Sequence, residues 1–96
     1  PNYTMAYTPD LISNIQSTSQ TNGNKLGRHA VRLDFSVIRI AKATGATRQT
    51  VYNWFLGKPV APYYVSRVTE LIDILGSADT AEHAWRDTCL KFNLKA

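Results

Sequence analysis

Apolar side chains recur at intervals of three and four residues along most of the chain, which is the period of one face of an α-helix. The stripes are Leu11, Ile12 and Ile15; Leu26, Ala30 and Leu33; Val37, Ile40, Ala41 and Thr44; Val51, Trp54 and Phe55; Val65, Val68, Leu71, Ile72 and Leu75; and Ala81, Ala84, Trp85, Thr88, Cys89 and Phe92. No segment alternates convincingly with the period of two that a strand shows. The sequence therefore predicts an all-α protein, a compact bundle of about five helices.

The first 24 residues differ from the rest of the chain. Residues 1–7 show no period and are interpreted as a loose tail. Thr8, followed by Pro9 and Asp10, suits the start of a short helix. The polar run "STSQTNGN", residues 17–24, ends in the turn-forming pair Asn-Gly and offers nothing to bury, so a loop or linker is expected there.

Capping residues and helix breakers divide the remaining chain. A short helix is expected from Lys25 to Asp34, with Arg28 and Arg32 on its outer face. The expected boundaries further along are a Ser36 cap, a stop at Gly45, a Thr47 cap, a stop at Gly57 and Pro59, a start at Pro62, a stop at Gly76, and a cap at Ser77 or Asp79.

We divide the chain into an N-terminal tail with a short extra helix (1–24), a core (25–76), and a C-terminal helix (77–96) that either packs on the core or forms a dimer interface.

The stretch "RIAKATGATRQTVYNWFLGK", residues 39–58, is a helical pattern that stops at Gly45 and resumes at once. Two helices joined by so short a turn pack steeply only if the backbone at the turn takes a conformation that glycine adopts readily. Close packing also requires a small residue, here Ala41, and apolar residues from the second helix, here Val51 and Trp54. These four residues together satisfy the helix-turn-helix pattern.

Residues 36–58, "SVIRIAKATGATRQTVYNWFLGK", resemble the helix-turn-helix of the lambda-repressor-like family, which includes phage Cro proteins, phage repressors and XRE regulators. The resemblance implies that the helix from Thr47 enters the DNA major groove, with Thr47, Arg48, Gln49 and Asn53 at positions that contact bases and nearby phosphates. It also implies that Lys58 binds phosphate. One position departs from the family: Val37 stands where a glutamine often binds phosphate and braces a base-contacting residue.

The residue types agree with this implication. If Val51, Trp54 and Phe55 face inward, the opposite face is polar, and arginine can pair with guanine as glutamine or asparagine can with adenine. The predicted base contacts are Thr47, Arg48, Gln49, Tyr52 and Asn53, and the predicted phosphate contacts are Arg39, Lys42, Thr50, Lys58 and Tyr63. For Arg48, Gln49 and Asn53, and likewise for Arg39 and Lys42, the alternative is an ordinary solvated side chain on a helix surface.

The charge is unevenly distributed along the chain. The formal net charge is +4, and residues 25–67 contain eight basic residues against one acid, Asp34. Residues 68–96 are slightly acidic. A cationic middle segment favours an anionic partner such as double-stranded DNA.

Other classes of function find little support in the residues. Cys89 is the only cysteine, and His29 and His83 lack nearby partners for a metal, so neither a disulfide nor a metal site nor another cofactor is expected. No catalytic set of residues stands out, and an enzyme is not expected. The sequence shows neither a secretion signal nor a membrane-spanning run, and so predicts a soluble protein of the cytoplasm, in a bacterial cell or a phage-infected host. Neither membrane binding nor a small-molecule substrate is expected.

The first hypothesis is therefore a sequence-specific DNA-binding transcriptional regulator of the phage or XRE repressor type, which reads the major groove with residues 47–56. A homodimer on a palindromic operator is expected, because one small module supplies few specific contacts. The alternative is a helix-turn-helix subunit of a DNA packaging or replication assembly, or an adaptor that binds a protein partner. The N-terminal helix and the acidic C-terminal segment favour this alternative.

Overall fold

Six α-helices joined by short connections account for most of residues 5–95, the part of the chain that the computed structural model describes. The helices are α1 (Pro9–Ser17), α2 (Asn22–Leu33), α3 (Val37–Thr44), α4 (Arg48–Phe55), α5 (Pro62–Ser77) and α6 (Ala81–Phe92). Since these residues contain no strand, the predicted all-α class is confirmed. Within the same range, no helix is both long and apolar enough to cross a bilayer.

Hydroxyl side chains begin five of the six helices. The cap residues Thr8, Thr21, Ser36, Thr47 and Thr80 each accept a hydrogen bond from a backbone N–H in the first turn of their helix. Helix α5 instead begins with Pro62, as predicted. The expected cap of α6 at Ser77 or Asp79 is wrong, because α5 continues through Gly76 to Ser77 and Thr80 then caps α6.

The predicted loop at residues 17–24 is shorter than expected, because α2 begins at Asn22 rather than Lys25. The Asn-Gly pair lies in the first turn of this helix, and the Asn24 side chain is fully buried. The Thr21 hydroxyl, which accepts from the Asn24 N–H at 3.1 Å, provides the cap that stabilises this start. The polar run therefore does contribute to the interior.

Two glycines one turn apart on α2 allow α4 to approach closely. A Cβ atom at Gly23 would lie 2.6 Å from the Trp54 Cβ and 2.8 Å from the Trp54 carbonyl oxygen. A Cβ at Gly27 would lie 2.7 Å from the Phe55 ring. Glycine is costly inside a helix, but here any larger residue would push α4 away from α2.

The core forms where the predicted stripes converge, with one shift of register in α5. Most of the predicted inner residues are buried, among them Leu26, Ala30, Ile40, Val51, Trp54, Phe55, Val68, Leu71 and Leu75. Val65 was predicted to face inward but is exposed. Tyr64 takes its place in the stripe, with its ring centroid 5.3 Å from that of Trp54.

Two residues of the predicted loose tail, Ala6 and Tyr7, contact the residues that follow α2. The Tyr7 side chain is buried, its hydroxyl donates a hydrogen bond to the Phe35 carbonyl, and its ring packs near Phe55. The Ala6 N–H donates to the Asp34 carboxylate at 2.8 Å. Burial raises the pKa of the Tyr7 phenol above its ordinary value, so it stays a hydrogen-bond donor. The rest of the predicted tail, residues 1–4, lies outside the described residues.

Helix α6 packs on the core, against α3 and α5, which was one of the two alternatives for it. Ala84 and Thr88 are fully buried, and Cys89 is largely buried, as the apolar stripe predicted. The opposite side of the helix leaves Leu90 76% exposed. Packing on the core therefore uses only one face of α6.

Gly45 ends α3 in the left-handed conformation, with φ of 82°, and its N–H donates to the Ala41 carbonyl. A Cβ atom there would meet nothing within 4 Å, so the only obstacle to a side chain is the backbone conformation. We expect Gly45→Val to lower the free energy of unfolding by about 1–2 kcal/mol, measured by urea denaturation.

The matched control is Gly45→Asn, because asparagine visits the left-handed region more readily than a β-branched residue. This variant should lose clearly less stability than Gly45→Val. Equal losses in both variants would show that the side chain meets a steric obstacle, and would contradict the backbone explanation.

Candidate nucleic-acid interface

The inner face of α4 is fixed in the core. Val51 and Phe55 are fully buried and Trp54 nearly so. The helix begins where the Thr47 hydroxyl accepts from the Thr50 N–H at 3.1 Å. Because both the start and the inner face are held, the direction of the outward side chains is determined by the packing.

The outward face of α4 carries the predicted base contacts. Arg48 and Gln49 are exposed, and Tyr52 and Asn53 are half-buried at the margins of the face. The Gln49 amide nitrogen donates to the Asn53 amide oxygen at 3.1 Å, one helical turn away. The face thus presents a guanidinium beside two coupled amides. Among the described residues, Arg48 has no ion-pair or hydrogen-bond partner for its side chain.

The two threonines at the start of α4 interact with each other. The Thr47 hydroxyl lies 3.0 Å from the Thr50 hydroxyl, and Thr50 is half-buried at the edge of the outward face. Thr47 is exposed but is also the cap of the helix. Both hydroxyls therefore have a structural partner as well as access to solvent.

Arg39 is held by α6 rather than left free. Its guanidinium donates to the Glu82 carboxylate at 3.1 Å and lies 5.2 Å from the centroid of the Trp85 ring. The Arg39 side chain is 28% exposed. A phosphate contact by Arg39 would have to compete with this ion pair and with stacking on an aromatic ring.

Three further arginines hold the carbonyl ends of helices. Arg28 donates to the carbonyls of Gln16, in the last turn of α1, and of Thr18, the residue after it. Arg32 donates to the Leu75 carbonyl of α5 and Arg67 to the Ala43 carbonyl of α3, and the four distances are 2.7 to 3.1 Å. These contacts place positive charge at the negative end of each helix dipole. Four of the eight basic residues between positions 25 and 67 thus have structural roles. The other four, Lys25, Lys42, Arg48 and Lys58, are exposed.

Lys42 and Tyr63, two of the predicted phosphate contacts, line the same cleft between the end of α3 and the start of α5. The Tyr63 side chain is 84% exposed, and its ring packs edge-on against Tyr64. Lys58 does not line this cleft; it lies in the turn after α4, where Gly57 has a φ of 96°. Its N–H donates to the Asn53 carbonyl at 3.0 Å, which ties the turn to the end of the helix.

Val37 is 4% exposed. At this position the lambda-repressor-like family, which residues 36–58 resemble, often has a glutamine. Val37 contributes to the core and offers no polar group. The bracing contact of that family is therefore not made from this position.

Asn24 is a residue of the site's scaffold that the sequence interpretation missed. Its amide nitrogen donates to the Ile15 carbonyl at 3.0 Å and to the Phe55 carbonyl at 2.7 Å, and its amide oxygen accepts from Arg28 at 2.8 Å. It therefore connects the last turn of α4 to α1 and α2. The available signal was Thr21, a capping residue three positions earlier.

His29 on α2 is a titratable residue outside this face whose pKa is shifted. Burial, and then the nearby charge of Arg32, lower the pKa of His29. Within residues 5–95, no group of three or more histidine, cysteine, aspartate and glutamate side chains is placed to hold a metal ion.

The polar outward face of α4, flanked by exposed lysines, is thus the best-formed candidate site in the described residues. No protein-family model matches the chain, and no curated protein and no solved structure matches it either.

Proposed function

We propose that the protein is a sequence-specific double-stranded DNA-binding transcriptional regulator of the lambda-repressor-like, phage or XRE type. In this proposal α3 and α4 form a helix-turn-helix and α4 enters the major groove. The observation that supports it best is the contrast between the two faces of α4. The inner face is buried in the core, whereas on the outer face Arg48 and Gln49 are exposed and Asn53 is half-buried.

Each outward residue has a chemical role in this proposal. Arg48 donates two hydrogen bonds to the major-groove edge of a guanine, and the Gln49–Asn53 pair offers a donor and an acceptor to an adenine. The hydrogen bond between the two amides limits their rotation before binding, so less side-chain entropy is lost on contact with the base. Tyr52 and Thr47 contact the margins of the same base pairs.

Phosphate contacts would orient the helix on the duplex. Lys58 after α4, Lys42 at the end of α3, and the Tyr63 hydroxyl supply them, with Thr50 at the edge of the groove. A phosphate contact by Arg39, which was also predicted, would have to replace its contacts with Glu82 and Trp85 on α6.

The proposal includes a homodimer. An eight-residue α4 reaches only a few base pairs, fewer than a specific operator requires. Two copies related by a two-fold axis would place their α4 helices about 34 Å apart, one turn of DNA, on a palindromic site. Light scattering of the protein with and without duplex would measure the stoichiometry.

The experiment that tests the function is selection of bound duplexes from a random pool, followed by titration of the recovered sequence against salt. We expect enrichment of a two-fold-symmetric sequence. The binding constant should fall steeply with salt. Each phosphate contact contributes about 0.9 to the salt slope, which is the decrease in log K per unit increase in log salt concentration.

A matched control is the same selection with Arg48→Ala and Gln49→Ala combined, which leaves the buried face of α4 intact. The variant should remain folded and should lose the enrichment. If the variant still enriched the same sequence, α4 would not be the element that reads the bases. If the unchanged protein enriched no sequence, the proposal of a sequence-specific regulator would be contradicted.

One feature favours the second candidate, a helix-turn-helix subunit of a packaging or replication assembly or a protein-binding adaptor. The outer side of α6 has an apolar groove of about 510 Å³, lined in part by Trp85, Leu90 and Leu94. A protein partner would suit this groove better than DNA would. Duplex selection separates the two candidates, since an adaptor should enrich no sequence.

A further inference from the structure

A polar cleft lies between the C-terminal end of α3 and the first two turns of α5. Its volume is about 460 Å³, and its polar lining includes Lys42, Tyr63, Ser66 and Arg67. Two of these side chains are cationic, two carry hydroxyls, and none of the residues that line the cleft is acidic. The cleft therefore offers several hydrogen-bond donors to an anion in one place.

Arg67 is fixed at the wall of the cleft by contacts within the protein. One guanidinium nitrogen donates to the Ala43 carbonyl at 2.7 Å, and the guanidinium carbon lies 4.3 Å from the centroid of the Phe92 ring. The same bond places positive charge at the carbonyl end of α3, whose dipole would otherwise oppose an anion. The remaining N–H groups of Arg67 make no hydrogen bond to residues 5–95.

Not every polar group in the lining is available. The Thr44 hydroxyl donates to the Ile40 carbonyl and accepts from the Ala46 N–H, so it is already satisfied. Lys42 and Tyr63 are exposed and have no side-chain hydrogen bond within the described residues, and neither does Ser66. The available groups are thus donors of the kind that bind phosphate oxygens.

We propose that this cleft binds a phosphate group. Lys42 and Arg67 supply the charge, and the Ser66 and Tyr63 hydroxyls donate hydrogen bonds to the phosphate oxygens. The phosphate comes either from the backbone of bound DNA or from a free phosphate compound. The first source rests on the proposed function, and the second does not. Ser66 and Arg67 are then binding residues that the sequence did not suggest.

The test follows the backbone amides of Gly45 and Ser66, which border the cleft, in amide proton–nitrogen NMR spectra during two titrations, one with inorganic pyrophosphate and one with duplex DNA. The variants are Lys42→Gln and Ser66→Ala. Arg67 is left unchanged because it holds Ala43 and Phe92. The control is Lys91→Gln, which removes the same charge from the exposed side of α6.

Saturable shifts of both amides with pyrophosphate, lost in Lys42→Gln and weakened severalfold in Ser66→Ala, would support a free phosphate ligand. Shifts with duplex alone would support the DNA backbone, provided that Lys42→Gln lowers the salt slope of duplex binding by about 0.9 while Lys91→Gln leaves it unchanged.

The inference is overturned if neither titration shifts the two amides saturably, or if Lys42→Gln and Lys91→Gln behave alike in both. Those results are separable from failure of the proposed function. If Lys42→Gln and Ser66→Ala both bound a selected duplex normally, the proposed function would stand and would not depend on this cleft. If the unchanged protein bound pyrophosphate but no duplex, the phosphate site would stand and the proposed function would fail.

Discussion

Asn24→Ala is expected to lower the free energy of unfolding by about 3–5 kcal/mol, although the residue lies in a polar stretch of sequence. Its amide nitrogen donates to the buried carbonyls of Ile15 and Phe55, and its oxygen accepts from Arg28. Alanine would leave the Phe55 carbonyl and the Arg28 Nε–H unpaired, whereas the Ile15 carbonyl would keep only its bond from the Thr18 N–H at 3.2 Å. Each unpaired buried group costs about 1–3 kcal/mol. Urea denaturation monitored by tryptophan fluorescence would measure the loss.

Two control variants make this expectation specific to the donated bonds. Asn24→Asp keeps an oxygen for Arg28 but cannot donate, so it should also destabilise strongly, because a carboxylate would face two carbonyl oxygens. Asn14→Ala, at an exposed position of α1, should change stability by no more than about 0.5 kcal/mol. If Asn24→Asp were as stable as the unchanged protein, the donated bonds would not be the source of the stability.

Helix starts and inner stripes were predicted well because they depend on neighbouring residues. Thr8, Ser36 and Thr47 cap their helices, Gly45 adopts the left-handed conformation, and Val51 faces the core, as the sequence indicated. A capping hydroxyl bonds an N–H three positions away, and a stripe repeats every turn, so both are visible in a short window of sequence.

The start of α2 was missed although Thr21 could cap it, because the packing that also favours this start lies 31 residues away. An Asn-Gly pair favours a turn, and glycine is a poor helix former. Here Trp54 requires the space that Gly23 leaves, and the Phe55 carbonyl requires the amide of Asn24. No local pattern reveals that another helix will pack at that point.

The basic residues were also interpreted too uniformly. The sequence shows that eight basic residues are spread over the 43 positions from 25 to 67. It does not show which helix ends lie beside them in the folded chain. Arg28, Arg32 and Arg67 bond carbonyls of other elements, and Arg39 pairs with Glu82, a residue 43 positions away. These partners exist only in the folded chain. Fewer of these side chains are therefore without a structural contact than the sequence count suggests.

The single register error in α5, at Val65, has a similar origin. Val65 and Tyr64 are both apolar enough to enter a core, and spacing alone does not choose between them. The ring of Trp54 decides the choice, because it packs against Tyr64 and leaves Val65 41% exposed. Aromatic pairing of this kind contributes beyond the area that it buries.

Arg48→Ala is expected to weaken binding to the selected operator by about 1–3 kcal/mol and to remove the preference for one base pair. The Arg48 side chain is exposed and takes no part in the described packing, so the variant should unfold at the same urea concentration as the unchanged protein. Binding to operators substituted at each position in turn, measured by fluorescence anisotropy at fixed salt, would locate the lost preference.

Lys58→Ala provides the comparison, because it removes one positive charge beside α4 without removing a group from its outward face. A residue that contacts phosphate should weaken binding to all sequences alike and lower the salt slope by about one. The division between the two residues follows from position: Arg48 extends from the first turn of α4, whereas Lys58 lies in the turn after its last residue. If both variants lost the same base preference, or neither lost any, α4 would not be the element that reads the sequence, and the roles assigned to its outward residues would have to be abandoned together.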